Sequence, residues 1–206
     1  MPPSLPSCQR LRLSARGYVE LVAADGETER AWATPDSDSV VLKRVAGPSP
    51  FAGAGSLQAV ADVVDGLVAA EGGDWVEVRV TELAGRPAVQ ALLKHPQAPK
   101  GTTYTGLFVM PFEGFSFEVR VACEERGEPG ARETRLLNQI LGSGDGWRFG
   151  EGGRIEIDDW DPDNPRYDDR FPDHPASRAR RAMAQVAQGL GLDLEMISVP
   201  SVALPE

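Results

Sequence analysis

The chain has 206 residues, of which 41% are hydrophobic and 25% are charged, so it can build a core without disulfides or a structural metal. Its formal net charge is -10 at pH 7. That charge excludes a general nucleic-acid binder, which needs surplus lysine and arginine to neutralise phosphates. It also disfavours adsorption to anionic membranes.

The start of the chain carries no basic and apolar signal pattern, and no apolar run reaches the roughly 20 residues of a membrane span. These features predict a cytoplasmic protein without membrane insertion. Alanine and glycine are abundant and arginine far outnumbers lysine, a composition that indicates a GC-rich bacterial source.

The first third of the chain predicts strands followed by one helix. Residues 1–9 are expected to form a flexible lead, residues 11–22 are extended up to a turn at Asp25–Gly26, and residues 31–45 form one or two strands. Ser56 is suited to cap a helix that Gly72 and Gly73 end. The helix has one apolar stripe, made of Leu57, Val60, Ala61, Val64, Leu67 and Val68.

The middle of the chain predicts four strands at 75–83, 88–94, 102–110 and 115–123. The first is expected to place Val76, Val78 and Val80 on one face. The last has the clearest alternation, with five apolar residues facing one way: Phe115, Phe117, Val119, Val121 and Cys123. Alternation with one polar face is typical of an antiparallel sheet that packs on one side.

Two further helices are predicted after the strands. One covers 131–141, and the other starts at Pro175 in its first turn and ends near Gly189. Residues 196–204 are apolar and predict an edge strand or a docking tail. This order divides the chain into an α+β sandwich domain at 10–149 and a C-terminal region at 150–206, which is expected to pack on that domain.

The order of strands and helices between Ala31 and Leu141 resembles the PsbP-like superfamily, which includes the DcrB-like and LpqN-like proteins. The block from Glu82 to Ala88, a glycine-containing turn between two strands, carries part of this resemblance. The resemblance implies an antiparallel sheet flanked by helices, in a PsbP-like α/β/α sandwich. It also implies an accessory factor that binds other proteins, or a chaperone of secreted effectors as some DcrB-like members are, and it brings no catalytic motif.

Residues 150–175, which we call the acidic segment, hold nine carboxylates and three arginines. A calcium loop is one interpretation, but the run from Asp161 to Pro165 lacks the spacing and central glycine of an EF-hand. A disordered tail is another, although such tails are poor in aromatic residues. We favour an ordered loop that packs its aromatics on the core and pairs its acids with arginines of the last helix.

A partner-binding surface is compatible with such an ordered loop, because aromatic residues are common interface anchors. The predicted partner-binding residues lie close together in the sequence: Trp160, Tyr167, Phe171, Asp158, Asp159, Asp161 and Asp163.

The histidines and cysteines of the sequence do not suggest a catalytic site. His95 precedes a proline in a turn, and His174 precedes the last helix, where a capping role is ordinary. Cys123 continues an apolar strand face, which favours a buried, inert thiol over a nucleophile. No catalytic residues, metal ligands or cofactors are predicted.

The sequence therefore predicts a non-enzymatic accessory factor, whether subunit, adaptor or chaperone, that binds another protein, one with a basic surface. One alternative is an immunity or inhibitor protein that presents its acidic surface to a basic toxin. A second is a hydrolase that uses Asp173 and His174, which requires both side chains to share a pocket with a further carboxylate. The oligomeric state is left open.

Overall fold

The computed structural model describes residues 5–21, 26–144, 146–150 and 154–205. Residues 1–4 of the predicted lead, residues 22–25 with part of the predicted turn, and residues 145 and 151–153 around the acidic segment lie outside this range. The helices are α1 (Leu57–Ala69), α2 (Ala131–Ser143), α3 (Pro175–Gly189) and α4 (Leu194–Ile197), with 3₁₀ turns at Cys8–Arg10 and Pro165–Arg170. The first four strands are β1 (Leu11–Leu13), β2 (Val19–Leu21), β3 (Glu29–Ala33) and β4 (Ser39–Ala46). The remaining strands are β5 (Asp74–Leu83), β6 (Arg86–Pro96), β7 (Thr102–Phe112), β8 (Phe115–Glu124), β9 (Trp147–Phe149), β10 (Ile155–Ile157) and β11 (Leu190–Leu192).

Seven strands form one antiparallel sheet in the order β2-β3-β4-β8-β7-β6-β5. The predicted strands from 75 to 123 form four successive hairpin-connected strands, and β8 then pairs with β4, which brings the N-terminal strands into the same sheet. Helices cover both faces of the sheet. The predicted α+β fold, an antiparallel sheet flanked by helices, is confirmed.

Helix α1 packs on one face of the sheet near β5. The Ser56 side chain accepts a hydrogen bond from the Ala59 amide and so caps the helix as predicted. Three members of the predicted stripe are buried: Val60, Val64 and Val68. Leu57 and Leu67 remain largely exposed, because α1 covers only part of the sheet.

Helix α3 lies on the opposite face, over β7 and β8, and this side holds the larger core. All five apolar residues predicted for one face of β8 belong to it, and Cys123 is fully buried there. Gly106 on β7 allows the close approach of the helix, because a Cβ atom at this position would lie 2.4 Å from the side chain of Met183. The glycine therefore sets the distance between α3 and the sheet.

A β-bulge corrects the predicted face of β5. The register with β6 shifts between Trp75 and Glu77, so Val76 is the extra residue. Val76 packs against the core under α3, whereas Val78 and Val80 pack against the core under α1. Alternation alone placed all three valines on one side, and the bulge separates them.

The C-terminal residues depart from the predicted extended conformation. The first of them belong to α4. The chain then runs beside the end of β7, where Ser201 forms a β-bridge with Phe112 and the Val202 amide donates to the Pro111 carbonyl at 3.0 Å. Strand β11 pairs with β1, so Leu192 lies opposite Leu11. No helix in the described part of the chain is long and apolar enough to cross a membrane.

Candidate functional site

The acidic segment begins in a separate hairpin that follows α2, and two carboxylates then anchor it to the main sheet and to α3. Strand β10 pairs with β9 in a small two-stranded sheet of their own. The 3₁₀ turn at Pro165–Arg170 follows, capped by the Asn164 side chain, and leads into α3. The described part of the segment is thus ordered between two elements of the core.

Asp163 forms the first anchor. Tyr104 donates its hydroxyl to one carboxylate oxygen at 2.5 Å, and Lys94 lies 3.2 Å from the other. Burial, and next the hydrogen bond to Asp163, raises the pKa of Tyr104 far above its ordinary value. Asp163 was predicted among the surface acids, but it is only 5% exposed. A buried tyrosine on a packed strand face needs an acceptor, and Asp163 is that acceptor.

Asp168 forms the second anchor. It accepts hydrogen bonds from Arg180 at 3.0 and 3.1 Å and from Ser177 at 2.9 Å, both on α3. Arg180 also donates to the Asp163 carbonyl. The predicted pairing of segment acids with early arginines of the last helix is confirmed at this contact.

The buried Arg132 explains the position of two predicted interface aromatics. Its guanidinium lies 5.7 Å from the ring centroid of Tyr167 and 5.9 Å from that of Phe171, and it donates to the Asn164 carbonyl at 2.9 Å. The residue is 1% exposed. Tyr167 and Phe171 are consequently half-buried against the cation.

Sequence reasoning missed Arg132, although a signal was present. It lies four residues before Leu136, so it continues the apolar stripe of α2. A cation in an apolar stripe indicates a buried charge with partners elsewhere in the chain.

His174 caps α3. Its Nδ1 accepts from the Ala176 amide at 3.3 Å and lies 3.1 Å from an Arg132 nitrogen, which is always a donor. The proton of the neutral ring therefore lies on Nε2, which faces Glu133 at 3.7 Å. The neighbouring His174 ring is the largest cause of the lowered pKa of Glu133.

A cavity of about 210 Å³ lies between the start of α2 and the start of α3, and its lining includes Asp173, His174, Glu125, Glu128 and four arginines. Asp173 and His174 thus share a pocket with further carboxylates, as the hydrolase alternative requires. Asp173 is exposed, and the carboxylate that faces His174 is that of Glu133. Because Nδ1 of His174 is engaged as a helix cap, Asp173 does not orient the ring as it would in a catalytic dyad.

Glu125, Glu133 and His174 bring three potential metal-ligand atoms within 4.8 Å of one another. The surroundings do not fit a metal. A histidine that binds a metal through Nε2 carries its proton on Nδ1 and donates it to an acceptor, yet here Nδ1 faces two donors. Glu125 already accepts from the Gly130 and Thr102 amides at 2.8 and 2.9 Å.

Exposed apolar side chains gather where the acidic segment begins. Phe149 and Ile155 lie opposite each other in the β9–β10 hairpin and are 69% and 47% exposed. Trp160 follows three residues after the hairpin and is 39% exposed. We call Phe149, Ile155 and Trp160 the hairpin patch.

Three predicted acids flank the hairpin patch on the surface: Asp158, Asp159 and Asp161. Asp158 pairs with Arg148 at 2.6 Å, and Asp161 accepts from the Asp163 amide at 3.1 Å. Asp159 has a positive φ of 51°, a conformation that aspartate and asparagine tolerate. Of the predicted partner-binding residues, four are thus exposed, whereas Asp163 is buried and Tyr167 and Phe171 are half-buried.

No protein-family model matches the chain, and no curated protein is significantly similar to it. Among solved structures, cyanobacterial PsbP (CyanoP) from Synechocystis sp. PCC 6803 is similar with a TM-score of 0.40 and 10% identity, over 69% of this chain and 94% of that one. A variant of the protein Mog1 is similar with a TM-score of 0.46 and 8% identity, over 92% and 94% of the two chains.

A crystal structure from Bacteroides thetaiotaomicron VPI-5482 is similar with a TM-score of 0.38 and 8% identity, over 73% of this chain. This chain spans only 46% of that protein. The structure thus has a weak likeness to each of these three solved structures. The likeness establishes neither an activity nor a partner.

Proposed function

We propose that the protein is a non-enzymatic accessory factor of the bacterial cytoplasm that binds another protein through the start of its acidic segment. In this proposal residues 150–206 pack on the sandwich domain of residues 10–149 and present Trp160 with Asp158, Asp159 and Asp161 to the partner. Tyr167 and Phe171 support this surface from beneath by packing on Arg132. Asp163 holds the segment to the sheet.

The observation that carries the proposal is the hairpin patch. Three large apolar side chains stay exposed at the start of a segment whose later part is held by buried charges. Exposed large apolar side chains with polar neighbours are typical of protein interaction sites. The rigid anchors behind it reduce the entropy lost on binding.

The charge around the patch selects the partner. Glu156, Asp158, Asp159 and Asp161 are exposed near it, and Arg148 is the neighbouring cation that pairs with Glu156 and Asp158. A protein surface with apolar residues ringed by lysine or arginine complements this arrangement. The partner in this proposal is therefore basic and apolar.

The test is affinity capture from the native cell with the full chain as bait, followed by quantitative mass spectrometry. Trp160→Ala removes the aromatic anchor. Leu57→Ala is the control, because Leu57 is a large apolar residue at 48% exposure on α1, which packs on the face of the sheet opposite α3. We expect a stoichiometric partner that Trp160→Ala loses by at least tenfold and Leu57→Ala retains.

A partner that both variants retain would place the interface elsewhere and refute the proposed surface.

The double variant Asp158→Asn/Asp159→Asn separates an adaptor from an inhibitor of a basic toxin. An inhibitor of a basic toxin depends on these charges, so its complex weakens steeply with salt. An adaptor that is held mainly by the apolar side chains of the hairpin patch loses less affinity in the double variant or at high salt than such an inhibitor does.

A further inference from the structure

Strand β5 is a long edge of the main sheet. It pairs with β6 on one side, and no backbone hydrogen bond joins its other side to any part of the chain that the structure describes. The opposite edge, β2, is only three residues long. Natural proteins guard such edges with lysine, proline or bulges. β5 has one bulge, at Val76, and neither lysine nor proline.

The sequence of this edge is complementary to itself. Glu77 and Arg79 flank Val78, and valines flank them in turn at 76 and 80. In an antiparallel pair of identical strands centred on Val78, each Glu77 lies opposite the partner's Arg79. Opposite charges in directly opposed positions stabilise a strand pair, and like charges destabilise it.

The side chains of Glu77 and Arg79 lie on the same face of the sheet. Arg79 is exposed and donates to Gln90 on β6 at 3.0 Å. Glu77 accepts from Arg180 on α3 at 2.7 Å, which fixes its carboxylate on the same face. Val78 and Val80 are only partly buried under α1, so pairing would remove further apolar surface from water.

We propose that β5 is a self-association edge, through which two copies of this chain pair antiparallel about a two-fold axis at Val78. The contact is isologous, because the same patch serves both copies, and it continues one sheet across both. The bulge at Val76 adds one residue and twists this end of the strand, so beyond it Asp74 lies opposite the partner's Thr81. The regular contact therefore centres on Glu77, Val78 and Arg79, and the dimer depends on concentration.

A charge exchange tests the pairing. We expect light scattering after size exclusion, over a range of concentrations, to show a monomer–dimer equilibrium for the wild-type chain. Arg79→Glu and Glu77→Arg each place like charges across the axis, so each alone should weaken dimerisation at least tenfold. Mixed together, the two variants should form a heterodimer, because every opposed pair is again oppositely charged.

The matched control is Arg135→Glu, the same charge change at an exposed arginine of α2. It should dimerise as the wild-type chain does. A wild-type chain that stays monomeric, or a dimer that survives Arg79→Glu, overturns the proposal. Circular dichroism checks that the variants are folded, since Glu77→Arg also removes the contact with Arg180.

A cysteine at the axis gives an independent measurement that keeps both charges. Val78→Cys should form a disulfide with its own copy under mild oxidation, because residues directly opposite in an antiparallel pair have Cβ atoms roughly 5 Å apart. Thr81→Cys should not, since the extra residue at Val76 places Thr81 opposite the partner's Asp74. Equal cross-linking of both variants, or of neither, refutes the proposed register.

Discussion

A buried ion pair joins three elements at one carboxylate. Asp38, between β3 and β4, accepts from Arg178 of α3 at 2.9 and 3.2 Å, and both side chains are almost fully buried. Arg178 also donates to the carbonyls of Asp173 and Glu124. A buried ion pair with its remaining donors satisfied ties these elements into one arrangement.

We expect Asp38→Ala to lower the free energy of unfolding by about 3–5 kcal/mol, because it leaves the Arg178 charge buried without its partner. Asp36→Ala is the control. Asp36 pairs with Arg181 at 2.7 Å on the surface, and an exposed pair contributes at most about 1 kcal/mol. Urea denaturation of both variants measures the difference, and equal losses would contradict this account.

The same scale shows why the cysteines are chemically quiet. Cys123 lies in the core on the packed face of β8, and burial raises the pKa of its thiol well above the ordinary value. A protonated thiol is a poor nucleophile. The structure thus buries Cys123 as predicted.

At the scale of elements, α2 and α3 begin side by side, and Glu133 and His174 link them. The interaction with His174 lowers the pKa of Glu133 from its ordinary value of 4.5. A carboxylate whose folded-state pKa is lowered stabilises the fold above its unfolded pKa, and this contribution disappears as the pH falls through the folded value.

We therefore expect Glu133→Gln to be less stable than the wild-type chain at pH 6–7, with the difference shrinking below about pH 4.5. Unfolding in denaturant at a series of pH values measures it. Glu128→Gln changes an exposed carboxylate in the loop before α2 and is the control. A difference between Glu133→Gln and the wild-type chain that does not change with pH would contradict the assigned link.

At the scale of the whole molecule, stability is distributed unevenly. Strands β7 and β8 lie inside the sheet and contribute to the cores on its faces. The β9–β10 hairpin pairs only with itself, and its Phe149 and Ile155 are exposed. Regions with few buried contacts open at lower free energy than core strands.

Hydrogen exchange followed by mass spectrometry should therefore find β7 and β8 among the slowest peptides and the β9–β10 hairpin among the fastest. The 3₁₀ turn at Pro165–Arg170 should exchange more slowly than the hairpin, because Asp163 and Asp168 anchor it to the sheet and α3. Exchange at the same rate in the turn and the hairpin would mean that these anchors do not order the segment.

The sequence by itself determined the features that arise from local periodicity. The alternation from Phe115 to Cys123, the stripe and Ser56 cap of α1, and Pro175 at the start of α3 each depend on residues close in the chain, and the structure contains all of them. A strand or helix pattern repeats every two or three to four residues. Local sequence therefore suffices to read it.

Only the tertiary structure decided which distant groups meet. The bulge at Val76 depends on the register with β6, and the burial of Asp163 depends on a tyrosine 59 residues away in the chain. Arg132 receives its partners from the acidic segment and α3. Such contacts are set by how the layers pack, because a hydrogen bond forms only at about 3 Å, and no periodicity along the chain encodes that distance.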